Sequence, residues 1–211
     1  MNLIIKNKAR ILIACEYTQA VTIAFRKLGF QAFSCDIISC TGWHPEWHIM
    51  DDVLNLLNDY WDMIIAFPPC TYLTWAGTAS WNAPGRFEKR IDAARFFMKF
   101  VNCKCKKIGI ENPQGIMSQL YRKPDQVIHP YLFGDPFKKR TCLWLKNLPL
   151  LKPTNLLPEP EAIFHESTTG RPVNWVSSVG RKDNCHELRS RTFPGIAEAM
   201  AEQWSKLLIV N

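Results

Sequence analysis

The alternation of apolar and polar positions divides the first two-thirds of the chain into short strands separated by single helices. Ala9 to Cys15 (ARILIAC) is an apolar run of strand length. Thr18 is placed to cap a helix in which Val21, Phe25 and Leu28 recur at helical spacing and Gly29 ends it. Gln31 to Asp36 (QAFSCD) reads as a second strand that ends in a carboxylate. A polar, tryptophan-rich stretch follows, then a short helix over Asp52 to Leu57. Asp62 to Phe67 (DMIIAF) is a buried strand broken by Pro68-Pro69. Ile91 to Val101 predicts an amphipathic helix with Ala93, Phe96, Phe97, Phe100 and Val101 on one face. Lys107 to Glu111 (KIGIE) is a strand stopped by Asn112-Pro113, and Thr141 to Leu145 (TCLWL) is another. Leu148 to Arg191 is proline-rich and polar with no clear period. Pro194 to Leu208 predicts a closing helix with Ile196, Met200, Trp204 and Leu207 on one face.

Strands joined through single helices predict an α/β fold with a doubly wound, mostly parallel sheet. Ligands in such sheets lie beyond the carboxyl ends of the strands. Four reactive or charged residues fall at those ends here: Glu16, Asp36, Cys70 and Glu111. That placement points to an enzyme.

Composition narrows the class. With 211 residues the chain is read as one domain: a core over 1–145, a short irregular insertion over 146–190, and a C-terminal helix over 191–211 that packs on the core. No apolar run reaches the roughly 18 residues of a membrane span, and the lysine-bearing start leads straight into a strand, so a cytoplasmic protein without membrane contact is expected. Without a secretory signal the eight cysteines are expected to be reduced thiols. A net charge of +7 suits a polyanionic partner.

Cys70 is the sharpest candidate. Two prolines directly after a buried strand make a stiff turn that presents its thiol, the mount a nucleophilic cysteine needs. Glu111, alone, reads first as a carboxylate capping the turn at Asn112-Pro113. Paired with Cys70 on a neighbouring strand end, it reads as an acid–base partner.

FPPCTYL at Phe67 to Leu73, IENPQG at Ile110 to Gly115 and FGDPFKKRTCLWL at Phe133 to Leu145 together resemble the cytosine carbon-5 DNA methyltransferases. The resemblance is closest to small phage-type members that lack a large target-recognition domain. Those share KPDQVIHPYLFGDPFKKRTCLWLKNLP and RSRTFPGIAEAMAEQW almost residue for residue. It implies a Rossmann-like class I methyltransferase fold, S-adenosylmethionine as cofactor and cytosine in DNA as substrate. It further implies Cys70 as nucleophile, with Glu111 and Arg140 assisting at the ring. Ala14, Glu16, Asp36, Asp52 and Pro68 would hold the cofactor, and Pro69, Asn112, Lys139, Arg189 and Arg191 the substrate. No metal ligand is implied.

The residues leave some readings open. The first turn, ACEYTQ at Ala14 to Gln19, lacks the glycine usual in that family. Either the turn differs with Glu16 beside the cofactor's methionine portion, or cofactor binding is lost and the chain is an inactive nucleic-acid-binding relative. Asp36 and Asp52 serve either a cofactor or a local turn. Cys35, Cys40, His44 and His48 have zinc-like spacing but sit in a strand and a loop. Trp75, Trp81, Arg86 and Arg90 form either a lid over a base or packing. Only about 45 residues separate Trp144 from Arg189, short of a recognition domain, so a free pyrimidine nucleotide or a single strand stands beside duplex DNA as substrate.

Overall fold

The computed structural model describes residues 8–75, 81–165, 167, 170, 172–173 and 192–209. Seven strands form one sheet: β1 (Arg10–Ala14), β2 (Gln31–Asp36), β3 (His48–Met50), β4 (Met63–Ala66), β5 (Ile108–Pro113), β6 (Gln126–Ile128) and β7 (Thr141–Lys146). Their order is β3-β2-β1-β4-β5-β7-β6. The pairs among β1 to β5 are parallel, and β7 runs antiparallel to both β5 and β6. This is the class I methyltransferase topology, with its reversed seventh strand. A small hairpin, β8 (Phe164–His165) with β9 (Pro172–Val173), stands apart from the sheet.

The central strands are apolar on both faces, so the core has two layers. Ile11, Ile13, Met63 and Ile65 face α1 (Ala20–Lys27) and the C-terminal helix α4 (Pro194–Trp204). Leu12, Ala14, Ile64, Ala66 and Ile110 face α2 (Arg86–Asn102), which buries Phe97 and Phe100. In α4, Ile196, Met200 and Trp204 are buried as the spacing predicts, whereas Leu207 falls past the helix end and is exposed. The Trp204 indole lies on the bare backbone of Gly109, where a Cβ would come within 3.1 Å of the ring. A strap at 149–152 closes over this layer: the Gln126 and Gln203 amides each make two 2.7–2.8 Å bonds to the backbone of Leu151 and Lys152, and the Trp204 indole donates to the Pro149 carbonyl.

Several elements depart from expectation. Helix α1 is not capped by Thr18; its N-cap is Gln19 in the left-handed region, φ 61°. The predicted helix at Asp52 to Leu57 is a single 3-10 turn, Val53–Asn55. Helix α2 starts at Arg86, one turn earlier than its apolar spacing indicates. Strands β3 and β6 and the four-residue helix α3 (Met117–Leu120) were not expected. No helix among the described residues is long and apolar enough to cross a membrane.

Candidate active site

Strands β4 and β5 lie side by side, with Ala66 opposite Ile110, so the two motifs leave the sheet about 4.8 Å apart. They are then bound to each other. The Asn112 amide donates to the Pro68 carbonyl at 2.7 Å, and Asn112 is only 1% exposed. The Ile116 amide donates to the Leu73 carbonyl at 2.9 Å, and the Trp75 amide to Gln114 at 3.3 Å. A Cβ on Gly115 would stand 1.9 Å from the Leu73 carbonyl oxygen, so only glycine allows the approach. The Cys70 carbonyl accepts from the amides of Leu73 and Thr74, which curls the chain into one turn directly after the cysteine. Pro68 is buried, Pro69 is exposed and Cys70 is half-buried. The cysteine is thus mounted on a turn stiffened by prolines and clamped from below by β5.

Glu111 points to the opposite face from Asn112. It lines a narrow cleft, with room for about one water molecule, together with Phe67, Lys139, Thr141, Phe193 and Ile196. Burial raises its pKa, and the nearby Lys139 ammonium partly offsets that. Register explains the partner. Thr141 pairs with Pro113 and Leu143 with Glu111, so alternate residues of β7 share the Glu111 face, and Lys139 continues that series. Arg140 does not. It is exposed, and its charge acts on the Cys142 thiol and His129 instead. The cation beside Glu111 is Lys139.

A second group of residues gathers where β1 and β2 end. Cys15 takes a φ of 59°, the conformation a glycine would hold, so the turn is made without one. Its thiol is held protonated, first by burial and then by Asp36, Cys35 and Asp52, which places both carboxylates around the end of β1. Asp36 accepts the Ile38 amide at 3.4 Å, and Ile37 beside it is 75% exposed. Asp52 caps the 3-10 turn through Leu54, the local role left open above.

Glu16 and Ala14 both have partners around the turn after β1. The Glu16 carboxylate is 3% exposed and turned onto helix α1, accepting from the amides of Val21 and Thr22 and from the Thr22 hydroxyl. It caps the helix from outside. Burial pushes its pKa up to about 7 against those bonds. Ala14 is fully buried, and its carbonyl accepts from the Phe67 amide at 3.0 Å. Both shape the turn. Gln19, unmarked by the sequence reading, ties the turn to Ser34 and to the backbone of His44.

Three of the four zinc-spaced residues have other partners. The Cys35 thiol donates to the Asp51 carbonyl, His48 uses both ring nitrogens on Ser34 and Ile38, and His44 stacks on Trp47 at 3.8 Å. Trp75 and Trp81 stack on each other at 5.4 Å, and Arg90 lies 3.5 Å over Trp81, 8% exposed. These three are packing. Arg189 and Arg191 lie outside the described residues.

No protein-family model matches the chain. No curated protein matches it either. Among solved structures, it is similar to a prophage-encoded candidate DNA modification methyltransferase from E. coli, with a TM-score of 0.45 and 14% identity. The match covers 77% of this chain and 59% of that one, so the chain spans about three-fifths of the neighbour's length. The fold assignment rests on the strand order above.

Proposed function

We propose that the chain is an S-adenosylmethionine-dependent methyltransferase acting at carbon 5 of cytosine in DNA through a covalent adduct on Cys70. One observation carries the reading: the Pro-Cys turn and the Glu-Asn strand end are bonded together at the carboxyl edge of the sheet through Asn112 and the side-chain-free Gly115.

Carbon 5 of cytosine is too weak a nucleophile to attack a methyl group unaided. Addition of the Cys70 thiolate to carbon 6 forms the sulfur–carbon bond and moves the ring's π electrons towards nitrogen 3. Glu111 delivers a proton there, leaving an enamine nucleophilic at carbon 5. Its raised pKa suits it to hold that proton, and Lys139 supplies the positive field at the same cleft in the role first given to Arg140. Loss of the carbon 5 proton to water, expulsion of the thiolate and return of the nitrogen 3 proton to Glu111 restore the ring and the carboxyl group. In duplex DNA the base must first leave the stack.

The residues around the end of β1 fit the cofactor. Asp36 would bind the ribose hydroxyls, and Ile37 and Asp52 would line the same pocket. Bound S-adenosylmethionine supplies the methyl group on an electrophilic sulfonium. Glu16 acts on this pocket through the turn it holds.

The test is trapping with DNA containing 5-fluorocytosine, whose fluorine blocks the final elimination. Wild type with cofactor is expected to form a denaturation-resistant adduct, and Cys70→Ala none. A wild-type protein that binds no S-adenosylmethionine by calorimetry, or forms no adduct, overturns the proposal.

A further inference from the structure

The Glu111 cleft has room for about one water molecule, and a pyrimidine base fills several times that space. A base that is to meet Glu111 and Lys139 therefore has to displace part of the wall. Most of that wall is fixed. The Phe67 amide donates to the Ala14 carbonyl at 3.0 Å, Thr141 is paired on both sides within the sheet, and Ile196 is buried within α4. Phe193 is different. It stands just outside the helix, before Pro194, and rotation of its side chain alone clears the ring from the cleft.

The ring is 2% exposed, and its centre lies 5.8 Å from the Lys139 ammonium and 5.2 Å from the Phe137 ring. It packs with the layer of α1 and α4, yet it also shares the cleft with Glu111, whose carboxyl takes no hydrogen bond among the described residues. Covering a carboxyl that has no donor costs stability, so packing alone gives no reason for a phenyl ring there. The backbone around the ring is held. The Gly195 amide donates to the Asp135 carboxylate at 2.9 Å, and a Cβ on Gly195 would stand 1.9 Å from the Phe133 carbonyl oxygen. The Phe193 carbonyl accepts from the Ala197 amide at 3.0 Å. The start of α4 thus stays in place while the side chain turns about its Cα–Cβ bond.

We infer that the Phe193 ring occupies the seat of the target pyrimidine and is the gate that a flipped base displaces to reach Glu111 and Lys139. The inference rests on the reading of Glu111 as the group that protonates nitrogen 3. It makes Phe193 a specificity-determining residue, because a ligand that cannot fill the space left by the phenyl ring does not hold the cleft open. A gate that is mostly closed also weakens apparent affinity by the fraction of molecules that stand open.

Calorimetric titration with free cytosine tests this on wild type, Phe193→Ala and Phe193→Leu. Phe193→Ala is expected to bind cytosine about tenfold more tightly than wild type, which corresponds to a gate open in about a tenth of wild-type molecules. Glu111→Ala added to Phe193→Ala is expected to remove that gain. Phe193→Leu, which keeps an apolar contact with Phe137, should shift affinity in the same direction by less, and it decides the matter where Phe193→Ala does not fold. Cytosine affinity within about twofold of wild type in every folded Phe193 variant overturns the inference. So does a gain that survives Glu111→Ala, since cytosine then sits outside this cleft. Failure of the methyltransferase reading looks different: S-adenosylmethionine binding or the Cys70 adduct is missing while Phe193→Ala still gains cytosine.

Discussion

Glu16 shows how much one side chain can reorganise at the residue scale. Its carboxylate is buried beside the start of α1, takes three hydrogen bonds and has a pKa pushed up to about 7. A carboxyl whose folded pKa lies above its unfolded value of 4.5 stabilises the fold most fully at low pH. Between pH 4.5 and about 7 the folded state holds more protons than the unfolded one, so this contribution is lost as pH rises. The gap corresponds to about 3 kcal/mol. Wild type is expected to lose roughly that much stability between pH 5 and 8 relative to Glu16→Gln, as read from urea midpoints. A pH slope identical in the two proteins would exclude it. At the other motif the residue scale also decides the cation: alternation along β7 puts Lys139, not Arg140, on the face of Glu111.

At the scale of elements, the site is a seam between two loops rather than a collection of side chains. The segment after β4 and the segment after β5 share backbone bonds from Leu73 to Ile116 and a side-chain bond from Asn112 to Pro68. Gly115→Ala drives a methyl group into the Leu73 carbonyl and is expected to cost about 2–3 kcal/mol. Asn112→Ala removes the tether and leaves the buried Pro68 carbonyl without its donor, at a cost of about 1–3 kcal/mol. Both should slow formation of the 5-fluorocytosine adduct at least as strongly as they lower stability. Full adduct rates in stable, folded Asn112→Ala protein would show that the tether does not position Cys70. The helix layer is simpler. Trp204 is wholly buried against Gly109, so Trp204→Ala should destabilise by about 3–5 kcal/mol in the same urea measurement.

For the molecule as a whole, the sheet is shared by both helix layers, and α4 closes the layer that α1 begins. The single domain proposed for the chain predicts coincident thermal transitions by far-ultraviolet circular dichroism and tryptophan fluorescence. Two separated transitions would contradict it. Much of this architecture was legible in the sequence because the buried strands are continuous apolar runs and α4 has a clean helical period. β3 and β6 were not, since three residues carry no measurable period. The Thr18 cap failed because a carboxylate two residues earlier reaches the same amides. Cys70 and Glu111 stood out through their prolines and strand ends. Asn112 was marked for the substrate, but its tether to Pro68 becomes visible only when β4 and β5 are neighbours. The Lys139 assignment needs the β5–β7 register, although counting back two from Thr141 along an alternating strand would have indicated it.

The strap at 149–152 has an evolutionary consequence. Gln126 and Gln203 fix the chain where it leaves the sheet, and α4 fixes it where it returns. Past Glu159, which pairs with Lys138, added chain length costs little, because doubling a loop adds only about 0.6 kcal/mol of closure entropy. On the proposed function, a protein of this layout accepts a sequence-reading module at that point without redesign of the seam between the segments after β4 and β5. For the protein engineer, the same junction is the place to graft a binding domain that would give the chain a new address on nucleic acid.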